Sequence, residues 1–331
     1  MQKIFEKLQN KKILVTGGAG FIGSHLCKTL LDYGATVLCL DNLSNGSLSN
    51  IEDLIKSERF HFIKGDILNF ETCMEATCSV DFVSHQAALG SVPRSIENPI
   101  NSNLTNVNGF LNVLFSSHKN NVKKVIYASS SSVYGDSEEL PKKENNIGSP
   151  LSPYAVTKFV NELYASNFKL IYNLDSIGLR YFNVFGQRQD PNGPYAAVIP
   201  IFAKKLINNE SPIINGDGSF SRDFTYVRNV VNANILAFFS KDQANNKVYN
   251  IACGNRITII KLFETLKKHL SEYKNNIIDI KPIFGPERKG DVNHSFASIH
   301  NSKKFLNYDP VFSFDDGIKE TVDWYWNNLK K

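Results

Sequence analysis

The 331-residue sequence predicts an α/β fold: a Rossmann-like, doubly wound parallel sheet with a smaller, interleaved α/β C-terminal substrate domain. Three observations carry that expectation. Short β-branched apolar runs alternate with helical stretches through the first two-thirds of the chain. A glycine-rich turn follows the first of these runs. Beyond residue 186 the alternation loosens without a clear linker. The expected division is therefore 1–186 for nucleotide binding and 187–331 mainly for substrate binding, with some later segments returning to the sheet.

The runs 12–17, 36–42, 60–66, 80–88, 123–130 and 175–186 read as strands, being short and rich in Val, Ile and aromatic residues. Between them "SHLCKTLLDYG" and "NVNGFLNVLFSSHKN" carry helical periodicity, which implies a parallel sheet covered on both faces. Further on, "AAVIPIFAKKLIN" and "IIKLFETLKKHLSEY" read as helices, and "SFSRDFTYVRNV" and "KVYNIAC" as strand or loop.

Composition narrows the function classes. The net charge is +5, but the basic residues are interspersed with acidic ones, so no nucleic-acid surface is implied. No apolar run reaches the length of a membrane span or a secretory leader. The five cysteines are odd in number and lack metal-ligand spacing. A reduced, soluble, cytoplasmic protein without a metal site or membrane attachment is the expectation.

"TGGAGFIGSHL" opens the first helix, with Gly17, Gly20 and Gly23 spaced as a variant dinucleotide-binding fingerprint. Glycine lets the backbone turn tightly and brings a pyrophosphate close to the helix N-terminus. The second strand ends in Asp41, whose carboxylate suits ribose hydroxyls and repels a 2′-phosphate, which favours NAD over NADP. Asp66 and Ile67 close the third strand beside the adenine, and Ala87 and Ala88 leave room at the fourth. Phe21, Ile22, Asn42, Gln86, Asn106, Ser129 and Tyr181 complete the expected cofactor set, together with Tyr154 and Lys158. His85 reads as a packed core histidine.

The fifth strand runs into "ASSSSVYGD", and "LSPYAVTK" follows. A hydroxyl, a tyrosine and a lysine suit hydride transfer at a carbinol. Tyr154 as phenolate takes the alcohol proton, Lys158 and the nicotinamide charge lower its pKa, and a serine steadies the substrate oxygen. Ser130, Ser131 and Ser132 are the candidates for that serine.

The combination of TGGAGFIG, SSSSVYG, YAVTK and RYFNVFG resembles the extended short-chain dehydrogenase/reductase family, in its sugar-nucleotide epimerase and dehydratase branch. The likeness covers nearly the whole chain. The 4,6-dehydratases of that branch carry an Asp-Glu pair where this chain has serines, so the resemblance implies a 4-epimerase. In that mechanism hydride leaves C4 for tightly bound NAD and returns to the opposite face of a 4-keto sugar. The nearest likeness is to bacterial UDP-N-acetylglucosamine 4-epimerases, carried by "HQAALGSVPRS", "IGSPLSPYAVTK", "RQDPNGPYAAVIP" and "NGDGSFSRDF".

The resemblance places Tyr181 and Asn183 at the sugar and diphosphate, and Arg222 and Arg288 on the diphosphate, beside Asp223 and Asp291. Ser91, Val92 and Arg94 match the substrate loop, and Ser130, Ser131, Ala197, Val198 and Asn215 complete the substrate set. Enzymes confined to UDP-glucose and UDP-galactose carry a tyrosine where this chain has Ser295. The smaller residue opens volume for an N-acetyl group. Ser298 departs from the aspartate common in the family. UDP-glucose/UDP-galactose or UDP-uronic acid 4-epimerases stay open as alternatives, as do a net oxidoreductase and a non-catalytic NAD-sensing protein. Helices after "NSNLTNVNGF" and at "YAVTKFVNELYA" match the family's dimer helices, so a homodimer is expected.

Overall fold

The computed structural model describes residues 2–193, 196–287 and 294–329. Its central sheet has seven strands: β1 (Lys12–Thr16), β2 (Thr36–Asp41), β3 (Phe60–Lys64), β4 (Phe82–His85), β5 (Lys124–Ser130), β6 (Ser176–Tyr181) and β7 (Lys247–Ile251). Their spatial order is 7-6-5-4-1-2-3, and every neighbouring pair is parallel. The order reverses between β1 and β4, so a crevice opens there at the carboxyl ends of the strands.

The longer helices are α1 (Phe21–Asp32), α2 (Gly109–Lys119), α3 (Pro153–Tyr172), α4 (Val198–Ile207), α5 (Val227–Phe238), α6 (Ile259–Ser271) and α7 (Phe314–Leu329). Strand residues alternate between two layers, as a pleated backbone requires. Ile13 and Val15 pack with Leu26 and Leu30 of α1 and with Val230 of α5, while Leu14 packs with Phe110 and Val113 of α2 and Phe168 of α3. A separate core joins α4, α6 and α7 through Phe202, Phe263, Leu266 and Ile318.

The structure revises several expected boundaries. The 80–88 run is a strand only over Phe82–His85, and the chain then leaves the sheet along the crevice. The 175–186 run breaks after Tyr181, because Asn183 adopts a φ of 36°. Val184–Phe185 instead pair with Thr225–Tyr226. The end of "SFSRDFTYVRNV" is the start of helix α5, ten of whose residues are buried. Its asparagines and β-branched residues are indifferent helix formers, and burial against the sheet is what sustains it. "KVYNIAC" supplies β7, so the second half of the chain contributes both a strand and a helix to the first layer system. All five cysteines are free, three of them buried. Among the described residues no helix is long and apolar enough to cross a membrane.

Candidate active site

The glycine turn sits at the reversal of strand order. Gly17 has a φ of 68°, and a Cβ there would lie 2.7 Å from the Ala87 backbone. A Cβ on Gly23 would lie 2.1 Å from the Gly17 carbonyl oxygen. Both positions therefore exclude side chains, which leaves the N-terminus of α1 open to a pyrophosphate. Gly20, Phe21, Ile22, Asp41, Asn42, Asp66, Ile67, Gln86, Ala87 and Ala88 line the same cleft. Ser44, Asn45, Gly46 and Thr105 line it too; small polar loop residues of this kind carry no distinctive signal.

Asp41 does more than face the cleft. Its Oδ2 accepts the Ala19 N–H at 2.9 Å and its Oδ1 the Leu43 N–H at 2.8 Å, so it also clamps the glycine turn. A carboxylate keeps lone pairs for a ribose beyond these two bonds. Asn42 donates to Asp66 at 2.8 Å, tying the ends of β2 and β3 together. These residues fit NAD: a side-chain-free turn for the diphosphate and an acid at the end of β2 for the adenosine ribose.

Three members of the expected cofactor set act from behind the cleft wall. Asn106 accepts the Leu89 N–H at 2.8 Å and donates to Thr157 at 3.1 Å, fixing the loop against α3. Tyr181 is buried, donates to Gln86 at 3.2 Å, and accepts a bond from Asn234 of α5 at 2.8 Å. Ser129 donates to Glu162 at 2.5 Å. Asn234 had no signal in the sequence, since its helix was not expected. His85 is buried, bonded to Thr16 at 2.9 Å, and held down to about 3 by desolvation and then by the Lys158 charge.

Tyr154 and Lys158 stand on the first turns of α3. Ser152 caps that helix by accepting the Ala155 N–H at 3.2 Å, and Pro153 occupies its first position. Ser95, one turn into the helix Val92–Glu97, accepts the Tyr154 N–H at 3.0 Å, which docks that short helix onto α3. The Lys158 ammonium donates to the Ala128 carbonyl at 2.8 Å and lies 5.9 Å from the Tyr154 ring centre. Burial lowers Lys158 to about 8. Burial also raises the Tyr154 phenol above its ordinary value, and a hydrogen bond with Ser130 is what opposes it. Ser130 thus favours the ionised phenol from the side of β5. The Ser130 hydroxyl also donates to Ser132 at 3.1 Å.

Next to this pair lies a cavity of about 600 Å³, within the range of small-molecule sites. Val92, Ser131, Ser132, Asn183, Arg222 and Ser295 border it. Tyr134 and Lys142 also border it, and sequence reading missed both. Lys142 is buried, hydrogen-bonded to the Ser137 carbonyl, and its backbone carries the segment that bears Ser295: its N–H donates to Phe296 at 2.7 Å and its carbonyl accepts from Ser298 at 2.9 Å. Ala197, Val198 and Asn215 border a second, aromatic-walled cavity that shares Asn183 and Arg222 with the first.

Ser91 and Arg94 border neither cavity. Ser91 caps its own short helix by accepting the Arg94 N–H, and Arg94 donates to Asn45 at the dinucleotide cleft at 2.8 Å. Asp223 is fully buried and accepts the N–H groups of Cys253, Gly254 and Ala297 at 3.0, 3.1 and 3.3 Å, so it joins three segments rather than meeting a ligand. Arg288 and Asp291 lie outside the described residues.

The sequence profile of the NAD dependent epimerase/dehydratase family matches residues 13–252, well over half of the chain. The chain belongs to that family. A UDP-N-acetylglucosamine 4-epimerase from Methanobrevibacter ruminantium, solved with UDP-N-acetylmuramic acid, is 41% identical with a TM-score of 0.89, over 96% of this chain and 99% of that one. The UDP-glucose 4-epimerase of Thermotoga maritima, solved with UDP-glucose, is 37% identical with a TM-score of 0.88, covering 96% and 100%. The UDP-glucuronic acid 4-epimerase of Bacillus cereus, solved with UDP-glucuronic acid and NAD, is 30% identical with a TM-score of 0.86, covering 95% and 98%. This epimerase/dehydratase chain therefore shares its whole architecture with enzymes of one reaction and several sugars.

Proposed function

We propose that this chain is an NAD-dependent UDP-sugar 4-epimerase that acts by preference on UDP-N-acetylglucosamine and UDP-N-acetylgalactosamine. The observation that carries the reaction is the Tyr154–Ser130 hydrogen bond, with the chain neighbours Ser131, Ser132 and Ala155 on the wall of the 600 Å³ cavity; the chain after β4 borders the dinucleotide cleft at Leu89 and Gly90 and this cavity at Val92 and Pro93. In this reading Tyr154 takes the proton of the sugar 4-hydroxyl and later returns one, and Ser130 hydrogen-bonds that oxygen. NAD, when bound, accepts the C4 hydride and gives it back to the other face. The uracil enters the aromatic-walled cavity of Phe220 and Phe224, and Arg222 at the shared border holds the diphosphate.

The acetamido preference rests on Ser295, a small residue on the wall of the sugar cavity, and on the likeness to the Methanobrevibacter enzyme. A second reading, a UDP-uronate 4-epimerase, is favoured by Lys142 on the same wall and by the likeness to the Bacillus cereus enzyme. The test is to incubate purified protein, without added NAD, with UDP-N-acetylglucosamine, UDP-glucose and UDP-glucuronate, and to separate the C4 epimers. Conversion of the acetamido sugar is expected, and its loss in Tyr154→Phe. Turnover of UDP-glucose or the uronate alone overturns the preference; no epimerisation of any sugar overturns the reaction.

We further propose a homodimer built on α3. Val156, Leu163 and Leu170 recur every seven residues along it and are 47%, 55% and 82% exposed. Ile96, Ile100 and Leu104, also exposed, lie on the adjoining short helices. Such an apolar stripe fits a helix-to-helix seam with a second copy.

A further inference from the structure

One buried ion pair lies outside the expected substrate and cofactor positions, yet each partner adjoins a member of the catalytic or cofactor set. Arg180 grips Glu162 with two prongs, Nε to Oε1 at 2.9 Å and Nη2 to Oε2 at 2.7 Å, with side chains only 3% and 7% exposed. Glu162 Oε1 also accepts the Ser129 hydroxyl at 2.5 Å. Arg180 Nη1 donates to the Glu144 carbonyl at 2.9 Å, and its guanidinium lies 4.9 Å from the centre of the Tyr134 ring, a wall of the sugar cavity.

The sequence positions are informative. Ser129 precedes Ser130, Glu162 lies one turn beyond Lys158 on α3, and Arg180 precedes Tyr181. Across the β5–β6 ladder Ser129 faces Arg180 and Ser130 faces Tyr181. The Lys158 ammonium meanwhile grips the Ala128 carbonyl, immediately before Ser129. Three elements that carry reacting or supporting groups are thus cross-braced at one buried point.

Stability alone does not explain this choice. A buried ion pair recovers little beyond its desolvation cost, and a well-packed apolar pair of the same volume holds a helix to a sheet as well or better. What an apolar pair cannot do is direct a hydroxyl. We propose that Glu162, held by Arg180, is a positioning residue. Through Ser129 it fixes the end of β5 against α3, so that the Ser130 hydroxyl, the Tyr154 phenol and the Lys158 ammonium keep their mutual geometry. This inference rests on the epimerase reading above.

The test compares wild type, Ser129→Ala and the double variant Glu162→Leu/Arg180→Met. Thermal midpoint, kcat, KM for the UDP-sugar and the titration of the Tyr154 phenol are measured, the last by ultraviolet difference against Tyr154→Phe. The double variant is expected to fold with a KM within about threefold of wild type while kcat drops at least about tenfold, as small misplacements of reacting groups do. Ser129→Ala moves kcat in the same direction with the fold intact, and the phenol titrates at higher pH as its bond to Ser130 loosens. A folded double variant with wild-type kcat and phenol titration overturns the proposal. Should the double variant fail to fold, an unchanged kcat and titration in Ser129→Ala overturns it instead. The phenol titration needs no sugar, so it reports on the brace even if no UDP-sugar is epimerised, an outcome that would sink the reaction reading separately.

Discussion

At the scale of single residues, the glycine turn and the buried Lys158 make the firmest predictions. Gly17→Ala places a Cβ 2.7 Å from the backbone of Ala87 at a φ of 68°, so the turn must shift. Loss of bound NAD from the purified protein, read by absorbance after denaturation, is the expected result, with the remaining fold retained. Lys158 gives a pH prediction. Burial lowers it from 10.5 to about 8 in the folded chain, so the unfolded chain holds more protons between those values and stability rises with pH there. The urea-unfolding difference between wild type and Lys158→Met therefore moves toward the wild type from about pH 8 to about pH 10. In catalysis the same group works in the opposite sense: kcat falls above about pH 8 as the ammonium that supports the phenolate discharges. Sequence could show the glycines and the Tyr154–Lys158 pair, because their spacing is itself the chemistry. It could not separate Ser130 from Ser131 and Ser132, since neighbouring serines differ only in where the backbone points each hydroxyl. Nor could it find Lys142, a residue type that is ordinarily solvated.

Among the elements, α3 depends on its first turn. Ser152 satisfies the Ala155 N–H there, and Ser95 satisfies that of Tyr154. Ser152→Ala should cost about 1 kcal/mol of stability, measurable as a lower urea midpoint, and should weaken catalysis more than the fold because Tyr154 lies two residues inside the cap. Six strands of the sheet were legible as β-branched runs, although β4 and β6 end earlier than their hydrophobicity suggests. The reasons are local. The chain after His85 must leave the sheet to border the crevice, and Asn183 turns left-handed after β6. Helix α5 was not legible. "VRNVVNANILAF" mixes β-branched residues with asparagines, and those asparagines pay their way through tertiary bonds: Asn229 to Phe312 at 2.8 Å, and Asn234 to Tyr181 at 2.8 Å. Neither partner is close in sequence.

For the molecule as a whole, the heptad-spaced stripe on α3 predicts a dimer of the 37.2 kDa chain, seen as a doubled mass by sedimentation. Leu163→Glu should shift that equilibrium to monomer. The order of strands has a different consequence. The chain completes its sheet only after it has entered the second lobe and returned, since β7 pairs with β6 across some sixty-five intervening residues, and α5 covers the sheet from the same late stretch. A polypeptide ending at residue 186 would keep Gly17, Gly20, Gly23 and the Tyr154–Lys158 pair, yet expose β6 as a raw edge and strip the apolar face beneath α5. The second lobe thus cannot be exchanged as a cassette. On the proposed reading, a new sugar preference must be written into this chain residue by residue, at positions such as Ser295, with the sheet left whole around them.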